Sequence, residues 1–192
     1  MLRKGEVARE ACASRYHIQA MRKFILGVIA GVFAVPAFAY LYLRLGLFPV
    51  ETSAAPFPFE KTSAAMGLSA RIGKASADLP PIPATDADYS VGARVYRETC
   101  AVCHGLLNGD KTPTARGMYP PPPQLMHGKG VTNDPVGETH WKVANGIRLT
   151  GMSGYHGSLS DAQIWQVSEL LADMNKVPSS VKEYLSTPAA TR

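Results

Sequence analysis

The sequence predicts an all-α protein, with a small helical domain behind one membrane-spanning helix near the N-terminus, and three observations lead there. The run from Phe24 to Leu43, FILGVIAGVFAVPAFAYLYL, is uncharged, and its length matches the ~20 apolar residues a helix needs to cross the hydrocarbon core of a bilayer. From Asp86 to about Val177, three segments carry apolar residues at helical spacing, separated by loops rich in Gly and Pro. No segment in that region alternates apolar and polar residues as a half-buried strand would.

Residues 1–23 precede the apolar run and carry the chain's charge asymmetry. Six basic residues (Arg3, Lys4, Arg9, Arg15, Arg22, Lys23) stand there against two acidic ones (Glu6, Glu10), while after Arg44 the two signs are equal in number. Such a basic flank stays in the cytoplasm, so residues 24–43 are expected to form a single-pass anchor in the cytoplasmic membrane with all that follows on the periplasmic side. The pI of 9.2 therefore reports topology and does not point to nucleic acid. Pro36 is tolerable in such a helix, and Tyr40 and Tyr42 suit the interface. A competing reading is a cleaved signal peptide starting at Met21, with its Ala-x-Ala ending at Ala37–Ala39. Both readings export the rest, and the anchor is favoured because YLYLRLGLF stays apolar well past the cut.

Residues 44–85 are rich in Ala, Ser and Pro, which extends a chain rather than packing it. They read as an exported linker, with a short amphipathic helix using Met66, Leu68 and Ile72 and weakened by Gly67 and Gly73. Residues 86–177 are the expected domain. Its first helix runs around Tyr89 to Thr99, with Val91 and Val95 on one face and Gly92 and Tyr96 beside them; its second runs from near Pro135 to Ile147, with Trp141 and Val143 to bury. Its third opens on the capping-box pair Ser160 and Gln163 and continues with the stripe Ile164, Val167, Leu170, Leu171 and Met174. Residues 178–192 read as a C-terminal tail. Three helices with long loops bury little apolar surface in a domain of this size, so a further group is expected in the core.

Cys100 to His104, CAVCH, supplies that group. A thioredoxin-like dithiol needs a strand-to-helix junction that is missing here. A structural zinc site needs four ligands, usually from paired elements; no cysteine follows Cys103, and His127, His140 and His156 are too widely spaced for a zinc pattern. Covalent haem attachment uses the whole pentapeptide: Cys100 and Cys103 form two thioethers, and His104 offers its imidazole to the iron. One haem c with its iron is the expected cofactor.

In VGARVYRETCAVCHG, then PPQL, then NGIRLTGMSGY, then SDAQIWQVSELLADM, the chain resembles class I cytochrome c over about Asp86 to Met174. The resemblance implies that the first and last helices of the domain cross, with Gly92 and Tyr96 at the contact and Leu170 opposite, where the family often has an aromatic residue. It implies that Pro123 and Leu125 match the Pro-x-Leu sequence whose Pro carbonyl holds the proximal His and whose Leu packs on the haem. It implies Met152 as the sixth ligand, followed here by Ser153 where the family often has Pro. Among the other methionines, Met174 reads as core, while Met118 and Met126 flank a proline run that reads as a surface loop. His156 is the second choice for the iron. Tyr119, Trp141, Trp165, Tyr155 and Arg148 are candidates for packing on the haem edge or pairing its propionates.

The resulting expectation is a membrane-tethered electron carrier, not an enzyme, passing single electrons between an exported dehydrogenase or respiratory complex and an acceptor such as a terminal oxidase. The haem domain has no large charge of one sign, so docking should depend little on long-range steering. The alternatives are a haem subunit of a larger oxidoreductase, or a peroxidase or ligand sensor with a labile sixth ligand.

Overall fold

A computed structural model describes residues 3–73, 75–81, 83–126 and 134–187. The chain separates into two compact units, residues 1–50 and residues 51–192. Every described element is helical and no strand occurs among the described residues.

The first unit is one long helix, α1 (Arg3–Arg44). Its segment His17–Arg44 is long and apolar enough to cross a membrane, an 18-residue stretch of it having a mean hydropathy of 2.3, and Phe24, Phe33 and Phe38 all project outward from it.

The second unit holds α2 (Glu60–Ile72), a 3-10 turn (Ala75–Ala77), α3 (Asp86–Val95), a π-helical turn (Tyr96–Cys100), α4 (Ala101–His104), α5 (Pro113–Arg116), α6 (Val136–Asn145), α7 (Asp161–Ala172) and α8 (Ser179–Ser186). The core is the crossing of α3 and α7. A Cβ added at Gly92 would lie 2.4 Å from the Gln166 carbonyl oxygen and 3.2 Å from Leu170 Cβ, so the two backbones meet where only glycine fits. Tyr96, Ile164, Val167, Leu170, Leu171 and Met174 are buried around that contact. Capping boxes start both helices, Thr85 with Asp88 for α3 and Ser160 with Gln163 for α7. The Thr85 box places the start of α3 at Asp86, earlier than the apolar spacing alone indicated.

The compact unit extends beyond the expected 86–177 at both ends. Residues 51–85, expected to extend as a linker, fold onto the domain: Ile72 and Ala75 are buried, and a Cβ on Gly137 of α6 would lie 2.3 Å from Ala75 O and 2.4 Å from Asp78 O. The Arg71 guanidinium also sits 5.3 Å from the centre of the Trp141 ring, and Lys61 Nζ 6.0 Å from that of Tyr119. The helix expected here is present, but it packs through Ile72 and partly through Leu68, while Met66 is 69 % exposed. Two of the three apolar residues share one face and Met66 falls off it.

The expected tail likewise contains α8, whose Val181 and Leu185 are buried in the same core as α3 and α7. Leu107 N–H donates to Leu185 O at 3.1 Å, and Arg97 donates to Tyr184 O at 2.9 Å while lying over the Tyr184 ring. The C-terminal helix thus braces the segment on either side of the cysteines.

Candidate haem site

Local backbone geometry sets the Cys-Ala-Val-Cys-His segment. The helix that begins as α3 widens into the π turn ending at Cys100, then resumes as α4, which carries Cys103 and ends on His104. π turns of this kind are frequent at functional sites. Gly105 stops the helix with φ 79°, and its carbonyl accepts a 2.8 Å hydrogen bond from the buried Tyr96 hydroxyl. Burial pushes the Tyr96 phenol well above its usual range, so it stays a donor. Thr99 Oγ1 donates to Val95 O at 2.6 Å and lies 3.4 Å from Cys100 Sγ.

His104 Nδ1 lies 2.8 Å from the Pro123 carbonyl oxygen. A carbonyl can only accept, so Nδ1 carries the proton and Nε2 keeps a free lone pair. Burial holds the imidazole below its ordinary pKa against the opposing pull of that carbonyl, which favours the neutral form a metal requires. Burial also raises the Cys100 thiol, with Cys103 adding to the effect and the Thr99 hydroxyl opposing it. Leu125, two residues past Pro123, is buried in the core together with Met126.

Met152 lies half-buried on the loop between α6 and α7 and packs against the core cluster. Its carbonyl accepts from Ile147 N–H at 3.1 Å and its N–H donates to Thr150 Oγ1 at 3.1 Å. Gly146, at φ 68°, and Gly154 press together: a Cβ on Gly146 would lie 2.5 Å from Gly154 N. Tyr155 Oη donates to Thr99 O at 3.3 Å, which joins the chain just after Met152 to the residue just before Cys100. Burial and the nearby Cys100 and Cys103 raise the Tyr155 phenol.

The other sequence candidates scatter. His156 and Arg148 are exposed. His140 stacks on Trp165 at 3.8 Å and its Nε2 lies 2.9 Å from Asp161 Oδ1, so both rings serve the contact between α6 and α7. Trp141 lies under Arg71 and Met174 is buried core. His127 lies outside the described residues. Sequence reasoning gave no part to Tyr96 as a donor to the Cys segment or to Thr99. The Tyr96 position was legible; its partner, the Gly105 carbonyl, is a backbone atom and leaves no mark in the sequence.

Residues 87–171 match the family model described as cytochrome c oxidase, cbb3-type, subunit III. This part of the chain is a class I c-type cytochrome domain. The domain carries covalently bound haem c with its iron and fits a role in haem electron transfer. No curated protein matches the chain. Elements α2 and α8 lie outside the matched residues of the cytochrome domain, although both pack into the same compact unit.

The residues present fit haem c by their chemistry. Two thiols stand three positions apart on one helical segment, followed by an imidazole with one nitrogen engaged and the other open. Among the described residues the buried Tyr119 hydroxyl has no hydrogen-bond partner, a donor that a carboxylate of a bound group would satisfy.

Proposed function

We propose that the chain is a membrane-anchored electron-transfer cytochrome whose haem is bonded to Cys100 and Cys103 and ligated by His104 and Met152, with the haem domain on the periplasmic side. The observation that carries this reading is the contact between His104 Nδ1 and Pro123 O, which leaves Nε2 as the one imidazole nitrogen open to a metal. Haem c bound there supplies a reversible one-electron change at its iron. The chain's own part is to hold that change to small rearrangement. Pro123 fixes the imidazole plane and tautomer, the Tyr96–Gly105 bond and α8 hold the cysteine segment, and Leu125 contributes apolar surface. A thioether from Met152 would complete the ligand set and favour the ferrous state.

The family description supports a second reading at the level of assembly, in which this cytochrome relays electrons inside a respiratory oxidase complex rather than diffusing between partners. Purification of the full chain from native membranes under mild detergent separates the two. Copurification with a terminal oxidase supports the relay, and isolation alone supports the carrier.

Absorption spectra of the full chain, oxidised and reduced, with and without carbon monoxide, test the ligand assignment. The expected result is a low-spin haem with a near-infrared methionine–iron band that Met152→Ala removes. Rapid carbon monoxide binding by the unaltered protein would sink the carrier reading. A band that survives Met152→Ala would move the assignment to another residue.

A further inference from the structure

We propose that Met118 is a positioning residue for the distal ligand, joining the loop that orients His104 to the loop that carries Met152. A Cβ built on Gly151 would lie 1.9 Å from Met118 Cε and 3.5 Å from its Sδ, so the end of the Met118 side chain lies against the Gly151 backbone, immediately before Met152. Met118 itself follows α5 and leads into Tyr119–Pro123, the stretch whose last carbonyl meets His104 Nδ1. One side chain therefore touches the distal loop from the proximal one.

The distal loop has need of such a contact. Between Ile147 and Met152 its hydrogen bonds, among the described residues, are internal: Thr150 N–H and Oγ1 both donate to Ile147 O, Ile147 N–H donates to Met152 O, and Met152 N–H donates to Thr150 Oγ1. Leu149 takes a left-handed φ of 61° and is 93 % exposed, giving the loop no apolar anchor at that point. Ser153 follows Met152, so no proline ring stiffens the backbone there. A long, polarisable thioether suits an irregular contact of this kind, and Gly151 leaves the space for it.

This inference rests on Met152 being the sixth ligand, and the experiment separates the two. Full-length protein, haem-loaded as produced, is followed on heating by the near-infrared methionine–iron band and by far-ultraviolet circular dichroism. Met118→Ala is expected to lose the band at a lower temperature than the unaltered protein, with the helical transition unmoved. Its ferrous form should bind carbon monoxide about tenfold faster, the size expected for contacting residues. Gly151→Ala pushes the Met118 tip aside and should reproduce both effects, the double variant should be no worse than either single, and Met118→Leu should retain most of the band. If the unaltered protein shows the band and neither Met118→Ala nor Gly151→Ala moves it, or if band and helical signal fall together in both, the positioning role is overturned while Met152 stands. If Met152→Ala keeps the band, the ligand reading falls first and this inference with it.

Discussion

Cys100, Cys103 and His104 sit on a helical segment continuous with the core, whereas Met152 sits on a loop closed by Gly146 and Gly154. The cysteine segment is held from several directions: Tyr96 through Gly105, Pro123 through His104, and α8 through the Leu107 and Arg97 bonds. The Met152 loop holds itself together by local bonds and meets the rest through the half-buried Met152 side chain, at Tyr155 and at the Met118–Gly151 contact. Opening free energies differ across a fold, and segments with few buried contacts open most easily. The difference teaches that the proximal side of the site is built with the core and the distal side is docked onto it, so the two should fail separately.

The largest effect should come from Cys100→Ala combined with Cys103→Ala. Both thioethers are then lost, and haem staining on a denaturing gel should show no covalently bound haem. Gly92→Val should destabilise the whole domain by roughly 2–3 kcal/mol in denaturant unfolding, because its Cβ meets the Gln166 backbone, which no side-chain rotation can relieve. Tyr96→Phe should cost about 1–3 kcal/mol by leaving the Gly105 carbonyl without its donor. Gly146→Ala should weaken the docking of the distal loop by about 1–3 kcal/mol, because φ 68° with ψ −177° suits only glycine and its Cβ would lie 2.5 Å from Gly154 N, and here the comparison is most exposed. The methionine–iron band should weaken while the helical transition hardly moves; a simultaneous loss of both would make the two sides one cooperative unit.

The smallest effect should be a pH dependence at the α3–α7 crossing. Burial raises the pKa of Glu169 above its ordinary value of 4.5, with the charges of Asp88 and Asp173 adding to the rise. The folded state therefore binds the proton more tightly than the unfolded one. Glu169 contributes most below pH 4.5, and that contribution is lost as pH rises through the raised value. Glu169→Gln should flatten this decline. Asp88 runs the other way: hydrogen bonds from Thr85 and Gln166 lower it to about 2, so its contribution is present above pH 3.8 and is lost as pH falls from there to about 2. Unfolding curves across pH 3–8 for both proteins would show whether the decline belongs to Glu169.

Much of this was legible in local pattern. The apolar run of α1, the Ser160–Gln163 box, the stripe of α7 and the pair Gly92 and Tyr96 are each read from neighbours within a turn or two of helix, and so is Cys-Ala-Val-Cys-His. The Pro123 register within four prolines was chosen through a resemblance. The fold-back of residues 51–85 was not legible, because Ala-, Ser- and Pro-rich composition favours extension unless a partner surface exists, and that surface is formed by Gly137 of α6, far along the chain. The place of α8 depends likewise on Val181 and Leu185 finding the core built by α3 and α7.

The sequence by itself determined the apolar helix, the helical class of the domain and the chemistry of its cysteines and histidine, since periodicity and donor type are properties of nearby residues. Only the tertiary structure decided that residues 51–85 and α8 close over that domain, that Pro123 rather than a neighbour faces His104, and that Met118 reaches Gly151. These are contacts between segments distant in the chain, and their energy exists only once the backbone has brought both surfaces together.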